Sequence, residues 1–426
     1  MKLAAKTTDE LQKIHQEALE QYEDFKSLHL QLNMARGKPC AEQLDLALGV
    51  LEALHARSEF ANSNGDDCRN YGVWNGLPEM RAIFSEMMDV PADQIILGNN
   101  SSLQMMFDCI AQGFTHGYSG CTPWARQEKV KFLCPAPGYD RHFAVTEYFG
   151  FEMIPVPMLK TGPDMDIIER LVAQDDTIKG CWCVPKYSNP DGIIYSAETI
   201  RRIASMKPAA PDFLLMWDNA YCIHEFEGDY VEFPDILAEC EKYGNADMVF
   251  EFASTSKVTL PGAGISCFAC SEANMAYMEK LLTVQVISFD KVNQQRHVLY
   301  LKDKAHTLEL MKKHAAILGP KFRCVVDALD REIAPLEIAS WRRPKGGYFV
   351  SVNAMPGTAK RTLALCKEAG VTMTGAGATF PYGKDPQDSN IRIAPSLPPV
   401  EELEQAVAVF CTCLRMAALE KLGELF

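Results

Sequence analysis

The sequence predicts an α/β fold: a large, mainly parallel sheet covered by helices on both faces, with a smaller α/β domain built from both chain ends. Three observations carry this. Short apolar runs alternate with helical periodicities between about residues 94 and 257, and Phe213-Leu214-Leu215-Met216-Trp217 is apolar throughout, as a strand buried on both faces must be. Polar residues of chemical interest follow such runs directly: Asn100 to Ser102, Tyr139, Asn189, Asp218 and Lys257. In open parallel sheets, ligands sit beyond the carboxyl ends of the strands. After about residue 320 a second set of short strands appears, with no repeat and no flexible linker before it. The expected division is residues 1–45 and 311–426 for the small domain and 46–310 for the large one.

Residues 7–32 read as a helix. Thr7 and Glu10 make a capping box, and Leu11, Ile14, Ala18, Tyr22, Phe25 and Leu28 recur at helical spacing. Ala35-Arg36-Gly37-Lys38-Pro39 is a turn with two cations. Residues 70–81 run from a loop into a helix, with Pro78 suited to its first turn. Gln94-Ile95-Ile96-Leu97 is a brief strand, followed by Gly98-Asn99-Asn100-Ser101-Ser102 and a helix over 103–110. Strand, small polar turn and helix present free N–H groups to an anion. An N-cap serine explains the same residues with no ligand. Further strands are expected at 130–134, 151–156, 178–184, 213–217 and 247–252, and Ser196 opens a helix. One long helical stretch is expected from about residue 281. The C-terminal part holds strands at 346–352, 370–373 and 391–394 and a closing amphipathic helix at 400–422.

The 426 residues include 56 acidic and 42 basic side chains, a net charge of −14. Such a balance argues against nucleic acid as a main partner. No apolar run reaches membrane-spanning length, so no membrane role is expected. The charged N-terminus is followed by no apolar stretch of the kind a signal peptide needs. The 15 scattered cysteines read as buried thiols of a reducing cytoplasm, not as metal ligands.

The chemistry centres on Ser254-Thr255-Ser256-Lys257, which follows a strand and leads to Pro261-Gly262. A lysine becomes a nucleophile when its surroundings lower its pKa, most often to bond a carbonyl carbon. The flanking serines suit a phosphate. A lone motif of this kind reads first as a surface lysine in a solvated Ser/Thr loop; the polar residues at the other strand ends are what raise Lys257 above that reading.

In order and spacing these motifs resemble the fold type I pyridoxal-phosphate enzymes, specifically the aspartate aminotransferase superfamily and a divergent bacterial branch of it. The resemblance runs from about residue 36 to residue 392, with Asn189 lying 29 residues before Asp218 and Asp218 39 before Lys257. It implies a large sheet of the seven-stranded type and a homodimer with shared active sites. It makes Lys257 the lysine that bonds the cofactor aldehyde. Asp218 becomes the partner of the pyridine nitrogen, and Tyr221 and Asn189 the partners of the ring's 3-oxygen. Tyr139 becomes the ring-stacking residue. Asn100, Ser101, Ser102 and Ser254 become the phosphate contacts, and Tyr71 reaches the phosphate of the neighbouring subunit. Arg392 becomes the grip on the substrate α-carboxylate, with Gly37 close by. One position departs from the family: the phosphate arginine expected eight residues beyond the lysine is Ile265.

The expected activity is transamination of aspartate or glutamate with a 2-oxo acid. A lyase or decarboxylase on the same scaffold, an aminotransferase of another amino acid, and an effector-sensing regulator are the alternatives. The regulator would carry a DNA-binding domain ahead of Arg36, where this chain has only about 35 residues. A second carboxylate needs a second cation. The resemblance implies an arginine supplied by the neighbouring subunit from the stretch after the lysine loop, which here holds Lys291 and Arg296; Arg296 is favoured for its planar fork, and Arg36 and Lys38, beside Gly37, are the other candidates.

Overall fold

The structure, a computed structural model, describes residues 3–423. The first helix, Thr8–Ser27, is capped as expected. The Thr7 hydroxyl accepts the Glu10 N–H, and the Glu10 carboxylate accepts the Thr7 N–H at 2.9 Å. It ends at Ser27 rather than near residue 32, because His29 turns at φ 50° and the chain departs into strand β1 (Leu32–Asn33).

The large domain then supplies β2 (Ile95–Leu97), β3 (Lys131–Ala136), β4 (Glu152–Leu159), β5 (Gly162–Pro163), β6 (Ile178–Cys183), β7 (Leu214–Asp218), β8 (Val249–Ser254) and β9 (Ser266–Cys270). The C-terminal part adds β10 (Ala339–Trp341), β11 (Val350–Ala354), β12 (Val371–Thr372) and β13 (Asn390–Ile393). The large sheet runs β2-β9-β8-β7-β6-β3-β4-β5. Strands β8, β7, β6, β3 and β4 are mutually parallel. β9 runs against both of its neighbours, and β5 is a two-residue return pairing only with the end of β4. The sheet therefore has seven full strands and a short edge. Along β7, Leu215 and Trp217 enter one apolar core while Leu214 and Met216 enter the other. That two-sided burial is why the strand has no polar alternation.

Three features differ from expectation. β9 was not read as a strand, because its small residues follow directly on the Pro-Gly turn. The helical stretch from residue 281 is three helices, Glu272–Gln285, Lys291–Leu301 and Lys304–Glu332. Asp290 starts the second by accepting the Asn293 N–H at 2.9 Å, and Asp303 starts the third by accepting that of His306 at 2.8 Å. Cys267 and Cys270 have a C-x-x-C spacing that the cysteine reading passed over. On a strand this spacing puts them on opposite faces, one in each core, so they cannot share a metal. All 15 cysteines are free thiols.

Both ends of the chain contribute to one core, which holds Leu11 and Tyr22 beside Val352 and Phe410. β1 pairs with β12, β10-β11-β13 form an antiparallel sheet, and Val400–Gly423 packs against Thr8–Ser27 and Lys304–Glu332. The Lys304–Glu332 helix belongs to both domains: Leu310 and Met311 lie in a large-domain core, Phe322 and Val325 in the small one. A buried polar cluster pins the two together. Gln43 Nε2 donates to Tyr348 Oη and contacts His314 Nδ1, both at 3.0 Å, and His314 Nε2 lies 3.1 Å from the carbonyl of Val258, next to Lys257.

Burial is the main cause that lowers the pKa of His224, His297 and His314 from the ordinary value of 6.5. The folded state therefore resists protonation that the unfolded chain accepts, so the stability these residues confer is complete above 6.5 and declines as pH falls below it. Thermal midpoints should drop between pH 7.5 and 5.5, and by less in His314→Gln. An equal drop in wild type and variant would remove His314 from this account.

Candidate active site

The site forms where β7 and β8 end side by side. Asp218 lies opposite Phe252 in register, and the Asn219 N–H donates to the Phe252 carbonyl at 2.8 Å. Asp218 therefore ends one strand while the next runs on through Ser254 to Lys257. Both side chains face a cavity of about 580 Å³. The Lys257 Nζ lies 5.2 Å from the centre of the Tyr221 ring and 5.7 Å from that of Tyr348. Burial lowers the pKa of its ammonium, opposed by the charge of Asp218, which increases the share of free amine at neutral pH.

Asp218 is gripped from one side only. Its Oδ2 lies 2.9 Å from His142 Nε2, while its Oδ1 is buried without a hydrogen-bond partner. The His142 ring stacks on Trp182 at 4.3 Å with 8° between the planes, and the Trp182 indole N–H donates to Thr146 at 2.8 Å. Tyr139 and Tyr221 complete the walls. Burial, Tyr139 and Asp218 push the Tyr221 phenol well up, and burial with Asp218 and Asp140 pushes that of Tyr139 up to about 12.

At the other end, Asn100, Ser101 and Ser102 lead into the helix Ser102–Thr115. Ser101 is its N-cap, accepting the Gln104 N–H at 3.3 Å, so the capping reading holds. Capping leaves other first-turn N–H groups free for an anion. The Ser254 hydroxyl donates to that of Ser256 at 3.1 Å, and the Ser256 hydroxyl donates to the Asn100 carbonyl at 3.1 Å, closing the cup. The Ile265 side chain lies in the core.

The opposite end of the cavity is lined from the β10-β11-β13 sheet. Arg392, on β13, is 8% exposed, and its guanidinium lies 4.8 Å from the centre of the Phe349 ring. Its Nη1 donates to Asp140 Oδ1 at 2.9 Å and to Asn189 Oδ1 at 3.2 Å. A Cβ at Gly37 would stand 2.5 Å from Phe349, so only glycine lets this segment close on the ring.

Most of the expected residues thus line one cavity: Gly37, Asn100, Ser101, Ser102, Tyr139, Asn189, Asp218, Tyr221, Ser254, Lys257 and Arg392. Tyr71 and Arg296 do not. Tyr71 is 78% exposed on a loop held by Lys291, whose Nζ donates to the Gly72 carbonyl at 2.7 Å. That contact occupies Lys291. His142, Asp140, Arg141 and Phe349 line or support the site and were missed. For His142 a signal existed, since it follows Tyr139 by one helical turn.

These residues fit pyridoxal phosphate. The orphaned Asp218 Oδ1 is an acceptor waiting for a ring N–H, the serine cup suits a phosphate, and Lys257 is an amine between them. Fold and site together define an aminotransferase of fold type I. The chain belongs to the aspartate aminotransferase family: the profile described as "Aspartate amino-transferase" matches residues 6–425. It is 44% identical to an aspartate aminotransferase of Corynebacterium glutamicum, over 95% of this chain and 94% of that one. A crystal structure of an aspartate transaminase from C. glutamicum superimposes with a TM-score of 0.97 at 42% identity, covering 99% of each chain. The α-aminoadipate aminotransferase LysN of Thermus thermophilus, complexed with N-(5'-phosphopyridoxyl)-L-leucine, shares the fold with a TM-score of 0.73 at 20% identity, over 96% of each chain.

Borohydride reduction after incubation with pyridoxal phosphate, followed by peptide mapping, should place the cofactor on Lys257. A label on another lysine would refute the assignment.

Proposed function

We propose that the chain binds pyridoxal phosphate and transfers the amino group of aspartate or glutamate to a 2-oxo acid. The observation that carries this is the unpartnered Asp218 Oδ1 beside the lowered-pKa Lys257 in one cavity. The names of the C. glutamicum relatives support the choice of substrate. When bound, pyridoxal phosphate supplies an electron-withdrawing ring that stabilises negative charge at the substrate Cα.

The chain's own residues do the rest. Asp218 would hold a proton on the ring nitrogen of the bound cofactor, and His142, stacked on Trp182, keeps its carboxylate from turning away. Lys257 Nζ takes the proton from the substrate Cα, a role that suits a lysine whose ammonium is destabilised. Arg392 receives the α-carboxylate and so fixes which Cα bond is broken. Asn189 and Tyr221 would hold the 3-oxygen of the bound cofactor, Tyr139 would cover its ring, and Asn100, Ser101, Ser102 and Ser254 would hold its phosphate.

The proposed unit is a homodimer in the reducing cytoplasm. Free thiols at all 15 cysteines suit that compartment. Tyr71, a large exposed aromatic on an anchored loop, supports a site shared across subunits.

Asp218→Asn should keep the fold and lower turnover about 10²- to 10⁴-fold, the range for losing a group that manages a proton in the transition state. Near-normal steady-state turnover would assign that proton to another residue. Mixed dimers of Tyr71→Ala and Lys257→Ala chains should regain one working site, since one chain supplies the lysine and the other the tyrosine. If proven heterodimers stay inactive, Tyr71 acts within its own subunit or not at all.

A further inference from the structure

The protein buries a second lysine that the chemistry does not use. Lys186 is fully enclosed. An ammonium has three N–H donors, and the Lys186 Nζ has three partners: Glu225 Oε1 at 2.7 Å and the carbonyls of Cys222 and Val231, both at 2.6 Å. Glu225 is tied down as firmly. The same Oε1 accepts the Tyr187 hydroxyl and the Val231 N–H, both at 3.2 Å. Burying such a pair is a poor way to gain stability. Desolvation offsets much of the attraction, and well-packed apolar residues of similar volume often serve as well or better. What a buried ion pair does supply is direction.

Its neighbours show what is being directed. Lys186 and Tyr187 stand in the segment that carries Asn189, and Glu225 stands in the segment that carries Tyr221. Tyr187 is left-handed at φ 50°, a conformation that costs free energy in a residue with a side chain and persists where neighbours over-determine it. A third segment joins them. Glu225 pairs antiparallel with Gly346, the Phe226 N–H donates to the Lys345 carbonyl at 2.9 Å, and the Gly347 N–H donates to the His224 carbonyl at 3.0 Å. A Cβ at Gly346 would stand 2.6 Å from both the Tyr187 ring and the His224 carbonyl, so only glycine allows this approach. The segment leads directly to Tyr348 and Phe349, the rings beside Lys257 and Arg392.

We infer that Lys186 and Glu225 are a positioning pair for the active site: by joining three segments they set where Asn189, Tyr221 and Phe349 stand. Neither lines the cavity itself. The inference rests on the aminotransferase reading above, in which Asn189 and Tyr221 hold the 3-oxygen of the cofactor. Arg392 Nη1 already occupies Asn189 Oδ1 at 3.2 Å, which leaves the amide N–H groups for that oxygen. Hydrogen bonds to an oxyanion favour its deprotonated form. If the two segments drift apart, those bonds weaken and the bound cofactor keeps its proton to a higher pH.

The test is the double variant Lys186→Met/Glu225→Leu as the full-length holoenzyme, with Lys186→Met beside it. The single variant leaves a buried carboxylate unpaired and should unfold at a lower temperature than wild type. The double variant removes both charges and should regain a thermal midpoint near that of wild type. The pH midpoint of its cofactor absorbance should nevertheless rise by about one pH unit. Its dissociation constant for pyridoxal phosphate should rise about tenfold, and kcat/KM should fall about tenfold for every amino acid alike. A purely structural pair would move the thermal midpoint and leave the pH midpoint in place. The inference is overturned if the double variant keeps its pH midpoint within about 0.2 units and its cofactor affinity within about threefold of wild type. It is also overturned if the double variant does not fold, which would make the pair a stability element, or if Lys186→Met is as stable as wild type, which would show that the pair is not coupled. A wild-type protein that binds no pyridoxal phosphate overturns the aminotransferase reading instead, and that is seen before any variant is made.

Discussion

A buried carboxylate oxygen without a partner dominates this site. Leaving such an atom unsatisfied costs about 1–3 kcal/mol, and more for a charged group. The surroundings of Asp218 prevent the simplest escape, rotation of the carboxylate. Its other oxygen is fixed on His142, whose ring is held between Trp182 on β6 and the edge of Tyr139 at 4.9 Å. Trp182 is held in turn by Thr146, one helical turn beyond His142. Three elements well separated in sequence, the helix Asp140–Tyr148, β6 and β7, thus cooperate to present one acceptor. Fixing it in advance means that no reorganisation is needed when a ring nitrogen arrives, which is where electrostatic catalysis gains most.

The second constraint is that the cavity is lined from two different sheets. Lys257 and Asp218 come from the ends of β8 and β7, while Arg392 comes from β13, opposite Ser351 in the small sheet. Their relative placement depends on the contacts that join the domains. Arg392 reaches across to Asp140 and Asn189, and the Gln43–His314–Tyr348 cluster fixes the backbone just beyond Lys257. Lys304–Glu332 runs through both cores and links them mechanically. A shift of one sheet against the other would separate Arg392 from Lys257 in the cavity that both line.

Much of this was legible in the sequence because strand ends announce themselves. An apolar run that stops at Asp218, or at Ser254 with a lysine three residues on, needs no tertiary information to be located. What escaped was whatever depends on a partner distant in sequence. His142 and Asp140 look like ordinary first-turn helix residues until Asp218 and Arg392 are brought against them. β9 has little β-branched character, and only its place between β2 and β8 makes it a strand. The break after Gln285 lacks glycine and proline, and it is set by Asp290 capping the next helix rather than by a breaker. The serine turn shows the opposite situation. Ser101 as N-cap and the turn as an anion site were alternatives in the sequence, but in the structure the cap uses one hydroxyl and leaves neighbouring N–H groups available.

The departure at Ile265 then explains how charge is distributed in the cavity. This residue is locked to Thr255 in both directions: its carbonyl accepts the Thr255 N–H at 2.8 Å, and its own N–H donates to the Thr255 hydroxyl at 2.9 Å. Its side chain points into a core containing Ala253, Val258 and Cys267. A guanidinium there would be buried among apolar groups, at a cost that forbids an unpaired charge. The serine end of the cavity therefore offers an anion hydroxyls, backbone N–H groups and a helix N-terminus, which bind through dipoles rather than through full charges. With no arginine at position 265, the chain's guanidinium groups in the cavity belong to other segments: Arg392 on β13, Arg36 beside Gly37, and Arg141 beside Tyr139. Full positive charge discriminates between a diacid and a monoacid far more strongly than dipoles do, because it sets the cost of desolvating the second carboxylate. The cavity of this acidic chain thus presents dipoles at its serine end and guanidinium groups at the other, two different physical means of holding an anion.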